Sequence, residues 1–299
     1  MRWSGIFGLA ALAACATAAP SADGEAAAPR SLGEILEQAP ASDWAALDPD
    51  WTLYMELPQG RVIMALSPDF SPEHAENVRA LARAHYWDGA AITRVQDNYV
   101  VQWGRPEGSP ADMGGGRAEI EAHEYFRSAE GLPFTPLPDP DSYAEQTGFT
   151  GGFWAARNER GETWMIHCYG AIGVGRENPP NTGNSTELYT VIGQAPRHLD
   201  RNLAMVGRIV HGMELLTSLP RGTGPLGFYE QPEQRTPIRS VRLASDVPEG
   251  ERTNLEVLRT DSLSFRDVIA SRRHRHEEFF VEPTDRINVC NVPLPVRER

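Results

Sequence analysis

Arg94 and Gln102 stand out as polar side chains within two short, mostly apolar segments of the sequence. Residues 91–95 and 99–103 are predicted strands because they are rich in β-branched and aromatic residues, and residues 96–98 between them are typical of a tight turn. An arginine is permanently charged and has rigidly placed N–H donors, so it can stabilise electron density that develops in a transition state. Arg94 is therefore either a catalytic donor or a residue on a solvated face of the sheet.

The other candidate motifs of the sequence are weaker. Ser185 lies in a Gly-Asn-Ser-Thr-Glu run that lacks the second glycine of a hydrolase nucleophile elbow. Residues 222–227 match Gly-x-Gly-x-x-Gly, but Pro225 would interrupt the helix that a dinucleotide site requires there. Residues 114–116 are three glycines that lack the Lys-Ser/Thr of a phosphate-binding loop. These patterns favour loops over a hydrolase or nucleotide site.

The segments on either side of Arg94 predict an antiparallel β-barrel with two helices. The predicted elements are, in chain order, a hairpin of residues 51–57 and 61–66, a helix that begins at Ser71-Pro72, the strands 91–95 and 99–103, a helix at 213–219 and a last strand at 238–243. Hairpins of this kind join neighbouring antiparallel strands.

Composition limits the classes of partner. The 299 residues include 28 basic and 41 acidic side chains, a net charge of −13. This balance argues against a nucleic-acid partner, which would require a basic surface. A hydrophobic content of 40% is ordinary for a globular protein, and the length allows one or two domains. The sequence has no Cys-x-x-Cys pair and no ligand spacing typical of zinc.

Residues 1–15 are interpreted as an export signal. A short apolar run follows Arg2 and is too short to span a bilayer as a mature helix. The Leu-Ala-Ala-Cys run that ends at Cys15 resembles the bacterial lipoprotein signal, in which the cysteine is lipidated; an ordinary signal peptide cut near residues 18–19 is the alternative. Either signal predicts a periplasmic protein, anchored to the membrane if Cys15 carries lipid. Residues 16–48 are predicted to be a flexible tether with a short helix.

Two other cysteines follow the export signal. Cys168 and Cys290 could form a disulfide in an oxidising compartment, or they could be two unpaired buried thiols, and the sequence leaves both open. Residues 249–299 follow the last predicted strand as a C-terminal extension. Within that extension, residues 261–280 are predicted to be helical because their apolar side chains share one face.

Three blocks of the sequence carry a family resemblance. Residues 86–104 include Ile-Thr-Arg-Val and Tyr-Val-Val-Gln-Trp-Gly, residues 180–192 include Pro-Asn-Thr-Gly-Asn-Ser and Leu-Tyr-Thr-Val-Ile, and residues 205–213 read Met-Val-Gly-Arg-Ile-Val-His-Gly-Met. Their order and spacing resemble the cyclophilin family of peptidyl-prolyl isomerases. The resemblance implies a mostly β fold, a closed antiparallel barrel capped by two helices. It places this barrel at residues 49–248, with a long insertion at about 106–168.

The resemblance also implies roles for individual residues. Arg94 takes the place of the catalytic arginine, and Gln102 that of the glutamine that holds the substrate carbonyl and orients the arginine. The implied substrate-binding residues are Tyr99, Val100 and Leu188 in the proline pocket, Gly175, Arg176 and Glu177 along the strand that pairs with the peptide, and Thr186, His198 and Leu203. The implied partners are proline-containing peptides or unfolded exported proteins. The resemblance implies neither a cofactor nor a metal.

Several positions depart from the family pattern. Ile92-Thr93 replaces the Phe-His pair before the arginine, Trp103 replaces a glycine, and Leu188 replaces an aromatic ring. These changes keep Arg94 and Gln102 but weaken the proline pocket. The sequence therefore predicts a peptidyl-prolyl cis-trans isomerase. The alternative is a catalytically weak or inactive module that binds peptides or proteins in the cell envelope.

Overall fold

The computed structural model describes residues 30–106, 109, 111–275 and 277–299. The strands are β1 (Trp44–Ala46), β2 (Thr52–Leu57), β3 (Gly60–Leu66), β4 (Ala91–Val95), β5 (Val100–Gly104), β6 (Arg127–Ser128), β7 (Thr135–Leu137), β8 (Gln146–Thr150), β9 (Phe153–Arg157), β10 (Glu162–Met165), β11 (Ala171–Val174), β12 (Leu188–Val191), β13 (Met205–His211), β14 (Thr236–Pro237), β15 (Ser240–Leu243), β16 (Leu255–Leu258) and β17 (Val296–Glu298). The helices are α1 (Leu32–Gln38), α2 (Pro72–Arg83), α3 (Met213–Thr217) and α4 (Leu263–Arg273). Short 3₁₀ turns connect several of these elements.

The largest sheet is antiparallel and has nine strands in the order β14-β4-β5-β12-β11-β13-β3-β2-β15. Its two edge strands are consecutive in the chain and are joined through Ile238 and Arg239. The N–H of Ile238 donates to the carbonyl of Ala90, next to β4, at 2.8 Å, and the N–H of Arg239 donates to the carbonyl of Glu56 in β2 at 2.9 Å. This link therefore bonds to the neighbours of both edges and draws them together, and the predicted antiparallel barrel is confirmed.

Apolar side chains from alternate strand positions fill the barrel. Leu53, Met55 and Leu57 of β2 are at most 1% exposed, because successive residues of a strand point to opposite faces and these three share the inner one. Val78 of α2 and Leu216 of α3 belong to the same apolar cluster and are fully buried. Both predicted helices therefore pack onto the barrel, as expected.

The insertion folds together with both ends of the described chain. Its strands form a five-stranded sheet in the order β6-β10-β9-β8-β7, and β1, β16 and β17 form a three-stranded sheet. These strands share a second apolar core with α1 and α4, in which Phe149, Trp154, Trp164 and Phe265 are buried. We call this assembly the second unit; it comprises residues 31–46, 127–168 and 255–298. Its core needs all three segments, since none of them could bury these aromatic rings alone.

A disulfide ties the second unit together. Cys168, at the end of the insertion, is bonded to Cys290 in the C-terminal extension, 122 residues later. The disulfide is thus the correct alternative of the two that the sequence left open. A bridge that closes a loop of this length contributes about 4–5 kcal/mol in the chain-entropy account.

The N-terminal segment differs from the flexible tether that the sequence predicted. From residue 31 onward it contributes to the core of the second unit, with Ile35 and Trp44 no more than 7% exposed. Ser31 and Glu34 form a capping box that starts α1, which confirms the short helix in this stretch. The signal and Cys15 lie outside the described residues. In the part of the chain that is described, none of the helices has both the length and the apolar character needed to span a bilayer.

Candidate active site

Arg94 lies on β4 beside a groove of about 1110 Å³, and neutral acceptors surround its guanidinium. Nε donates to the carbonyl of Leu226 at 2.7 Å, Nη1 to Oε1 of Gln102 at 3.2 Å, and Nη2 to Oε1 of Gln96. A guanidinium has five N–H groups, so donors remain for a substrate. Partial burial lowers the pKa of Arg94 below its ordinary value, while the nearby Tyr99 acts in the opposite direction. The charge of Arg94 is held in place without being neutralised.

Gln102 lies opposite Arg94 because β4 and β5 are paired in that register, with a bulge between Ile92 and Arg94. Its Oε1 accepts from Arg94 and its Nε2 donates to Oε2 of Glu187 at 2.7 Å. The orientation of the amide follows from its partners, since an arginine can only donate and a carboxylate can only accept. Gln102 therefore orients the guanidinium, and Glu187 in turn orients Gln102.

The structure brings nine of the eleven predicted site residues to this groove. The groove is lined by Arg94, Tyr99, Val100, Gln102, Gly175, Arg176, Glu177, Thr186 and Leu203. They come from β4, β5, and the segments around β11, β12 and β13. These segments are neighbours in the barrel, which explains how positions up to 109 residues apart in sequence meet at one groove.

The predicted pocket residue Leu188 is wrong by one position. In the pairing of β12 with β5, Leu188 lies opposite Trp103 and Tyr189 lies opposite Gln102. Since paired residues share a face, Leu188 and Trp103 both point into the barrel core, where each is 1% exposed. Tyr189 lines the groove instead. Side chains alternate between the two faces of a strand. Once the register of β12 against β5 is known, this alternation places Tyr189 and Gln102 on one face and Leu188 on the other.

His198 is also not where the resemblance implied. It is exposed and lies outside the groove, which Leu199 lines in its place. The reason is the short 3₁₀ turn Arg197–Leu199, in which Arg197 points inward to buried aspartates and the next side chain is directed to solvent. Thr186 does reach the groove, but the carboxylate that contacts Gln102 belongs to the following residue, Glu187.

The sequence analysis missed one wall of the groove, the loop that includes Leu226 and Phe228. The Arg94 guanidinium carbon lies 5.2 Å from the centre of the Phe228 ring. Leu226 adopts a left-handed conformation, with φ of 56°, and presents its carbonyl to Arg94. The loop passes so close to β4 that a Cβ atom on Gly227 would lie 2.6 Å from the Cα of Gln96, so only glycine fits there. This loop supplies apolar surface next to the catalytic candidate.

The segment after the three glycines, around residues 118–123, forms another wall of the groove. Hydrogen bonds to α2 hold it in place. His74 is fully buried, and its Nδ1 lies 2.8 Å from Oε2 of Glu124. Burial acts to raise the pKa of Glu124, but hydrogen bonds from His74 and from backbone N–H groups outweigh it, so this pKa lies below its ordinary value. Asn77 donates to the carbonyls of Arg117 and Asn184 at 3.0 and 2.7 Å, which joins both rims of the groove to the same helix.

Comparisons with known proteins identify the family of the chain. The family model described as "Cyclophilin type peptidyl-prolyl cis-trans isomerase/CLD" matches residues 52–243, more than half of the chain. A "Probable peptidyl-prolyl cis-trans isomerase" of Brucella suis is 24% identical over 179 residues, which cover 60% of this chain and 76% of the relative. The mouse "Peptidyl-prolyl cis-trans isomerase-like 3" is 26% identical over 151 residues, or 50% of this chain and 70% of the relative.

Among solved structures, the chain is similar to the crystal structure of cyclophilin AquaCyp293 from Hirschia baltica. The identity is 24% and the TM-score 0.68, and the match covers 86% of this chain and 94% of that one. At this level of identity the likeness concerns the fold. The match covers more of the chain than the residues 52–243 that the family model matches.

Proposed function

Because the chain belongs to the cyclophilin-type peptidyl-prolyl cis-trans isomerase family, we propose that it isomerises Xaa-Pro bonds of exported proteins, with Arg94 as the catalytic donor. The barrier to rotation about the peptide bond is about 18–20 kcal/mol because amide resonance resists twisting. In the twisted transition state the prolyl nitrogen becomes pyramidal and regains a lone pair. A donor fixed near that nitrogen stabilises the transition state more than the ground state, which is the requirement for catalysis.

The observation that carries this proposal is the neutral environment of Arg94. Its acceptors are amide and carbonyl oxygens, so its positive charge remains available to the substrate. Tyr99, Val100 and Leu199 supply apolar surface in the same groove for the pyrrolidine ring. In this proposal Gln102 holds the guanidinium, and the backbone around Arg176 pairs with the residues that precede the proline.

The test is the isomerisation rate of tetrapeptides that vary the residue before proline. We expect Arg94→Ala to lower kcat/KM by roughly 10²–10³-fold, the usual cost of removing a transition-state donor. Arg160→Ala is the matched control, because Arg160 is exposed and lies outside the groove. Equal rates for wild type and Arg94→Ala would overturn the mechanism. A folded wild type that binds these peptides without accelerating any of them would favour the alternative, a peptide-binding module.

We also infer that the protein is exported and that Cys15 is lipidated. The Leu-Ala-Ala-Cys signal supports this, and so does the disulfide between Cys168 and Cys290, since disulfides persist in oxidising compartments. Radiolabelled palmitate should be incorporated by the wild type and not by Cys15→Ser in a bacterial host. Incorporation by both, or by neither, would contradict the inference. Recovery of the unlabelled wild type in the soluble periplasmic fraction would support the ordinary signal peptide.

A further inference from the structure

The hydroxyl of Tyr189 points from the groove towards the interior of the protein. The residue lines the groove, but only 5% of it is exposed. Its hydroxyl lies 2.9 Å from Nε2 of His167. A Cβ atom on Gly173 would come within 2.2 Å of this oxygen, so the ring lies over a glycine that leaves room for it. The Tyr189 ring is thus packed against Gly173 on the side that faces the barrel.

The next member of the chain is His167, which is fully buried. Its Nδ1 lies 2.8 Å from Oδ1 of Asp200, and its backbone N–H donates to the same oxygen at 3.0 Å. Since a carboxylate can only accept, we assign the imidazole proton to Nδ1. In the neutral ring Nε2 is then an acceptor, and the Tyr189 hydroxyl donates to it.

Asp200 connects this pair to the segment between β7 and β8, which carries Asp141. Oδ2 of Asp200 accepts from Nε of Arg197 at 2.6 Å, and the two terminal nitrogens of Arg197 donate to the two oxygens of Asp141, each at 2.8 Å. Asp141 belongs to the insertion, between β7 and β8. The side chains of Asp141, Arg197 and Asp200 are each 4–5% exposed. A continuous path of buried hydrogen bonds thus runs from the groove to the second unit.

We propose that His167 and Asp200 are positioning residues for the isomerisation, and that Asp141, acting through Arg197, makes the orientation of Tyr189 in the groove depend on the second unit. This proposal rests on the proposed function. It assigns the insertion a role in catalysis at a distance. The connection is a hydrogen-bond network from Tyr189 to Asp141 in which every polar group has a partner. Such networks hold side chains in one orientation because a partly broken network is costly in a low-dielectric interior.

The chemistry of the phenol fits this role. Burial raises the pKa of Tyr189 well above its ordinary value, and the negative charge of Asp200 acts in the same direction. The hydroxyl therefore stays protonated and remains a donor to His167. A phenylalanine would fill the same apolar space but would leave Nε2 of His167 without its donor, so the tyrosine is the residue that links the ring to the network.

The test is a double-mutant cycle with Tyr189→Phe and Asp141→Asn, read out as kcat/KM on a proline tetrapeptide. We expect each single variant to lower kcat/KM by roughly threefold to tenfold, and the Asp141→Asn effect to disappear in the Tyr189→Phe background. The matched control is Asp139→Asn. Asp139 is also a buried carboxylate of the second unit whose two oxygens accept from one arginine, from Nε and Nη2 of Arg273, but it has no contact with the path from Tyr189.

Two outcomes would overturn the proposal: additive effects of Tyr189→Phe and Asp141→Asn, or an equal loss of kcat/KM in Asp139→Asn. A second readout does not depend on activity. The hydroxyl proton of Tyr189 should give an NMR signal that moves in Asp141→Asn and stays in place in Asp139→Asn. If the wild type had no isomerase activity, the proposed function would fail while this signal would still decide whether the second unit positions Tyr189.

Discussion

Two arginines, Arg197 and Arg208, are equally buried, each 5% exposed, but their surroundings are opposite. Arg197 lies beneath the groove between Asp141 and Asp200. Burial acts to lower its pKa, but the hydrogen bonds and charges of the two aspartates outweigh burial and raise the pKa above its ordinary value. The cost of removing this charge from water is offset by its partners.

Arg208, on β13, has no such partners. It lines a cavity of about 260 Å³ where the barrel meets the β8–β9 turn, and within the described residues it makes no hydrogen bond or ion pair. Its guanidinium lies 6.0 Å from the centre of the Trp154 ring, at the outer limit of a cation–π contact. Burial alone lowers its pKa below the ordinary value, to about 10. The comparison teaches that this fold tolerates a buried charge both with and without compensation.

Arg94 is intermediate between these two cases, and that is why it suits catalysis. Its partners are hydrogen-bond acceptors without charge, so it is held as firmly as Arg197 while its charge remains as unneutralised as that of Arg208. A carboxylate at its side would satisfy the same N–H groups but would compete with the substrate. The variants below replace one of these arginines, change the partner of one, or remove charges at the rim of the groove.

The largest effect is expected for Arg197→Met, which removes the partner of two buried carboxylates. We expect the free energy of unfolding in urea to fall by about 3–5 kcal/mol, the usual cost of breaking a buried ion pair from one side. Arg160→Met is the control, since that arginine is exposed and should change stability by less than about 0.5 kcal/mol. A loss below about 1 kcal/mol for Arg197→Met would show that the aspartates do not depend on this arginine.

The opposite sign is expected for Arg208→Met. Replacing an unpaired buried charge with an apolar side chain of similar length should raise the free energy of unfolding by about 1–3 kcal/mol. The pH dependence follows from the lowered pKa of about 10: the unfavourable charge is present below that pH and is relieved as the pH rises through it towards the ordinary pKa of an arginine, where the unfolded chain loses its proton as well. The advantage of the methionine variant should therefore be constant from pH 6 to 9. A less stable variant would contradict this account.

Arg94 and Arg197 also show what the sequence could and could not predict. Arg94 and Gln102 were identifiable because they are eight residues apart on one predicted hairpin, and a local pattern carries that information. The hairpins β2–β3 and β4–β5 were predictable for the same reason, through turn residues and strand alternation. Arg197 and Asp141 are 56 residues apart, and the three segments of the second unit meet only in the folded chain. No periodicity marks such contacts.

The error at Leu188 has a different origin. The run of residues 188–192 belongs to the family resemblance, and the structure forms β12 from residues 188–191 of it. Its register relative to β5 decides whether Leu188 or Tyr189 faces the groove, and a slip of one residue exchanges the two faces completely. A resemblance without an exact alignment cannot fix that register. The pairing of Tyr189 with Gln102 fixes the register, because Gln102 must face Arg94.

An intermediate effect is expected when Arg94 is given the environment of Arg197. The paired variant Gln102→Glu with Glu187→Gln exchanges two contacting groups and leaves the net charge unchanged. We expect kcat/KM to fall by roughly tenfold or more, because a carboxylate beside Arg94 neutralises the donor that the transition state uses. Glu187→Gln alone is the control: its amide oxygen can still accept from Gln102, so it should lose less activity than the paired variant. Full activity in the paired variant would mean that the charge of Arg94 is not what acts on the substrate.

The smallest effect concerns charges at the rim of the groove. Glu119, Glu121, Glu177 and Glu187 line the groove together with Arg94 and Arg176, so carboxylates outnumber arginines there. Tetrapeptides with lysine before proline should therefore react faster than those with glutamate. The difference should be only about twofold to fivefold at low salt, because exposed charges are screened by water, and it should largely vanish at 1 M salt.

Glu119→Gln with Glu121→Gln provides the matched variant for this preference. It should reduce the lysine preference without changing the rate for an alanine peptide, since neither side chain contacts Arg94 or Gln102. A preference that persists at 1 M salt would instead place the lysine against a desolvated carboxylate, and Glu187, which is bonded to Gln102, would be that carboxylate. The salt dependence thus separates weak surface charge from the buried, partner-dependent charge that distinguishes Arg197 from Arg208.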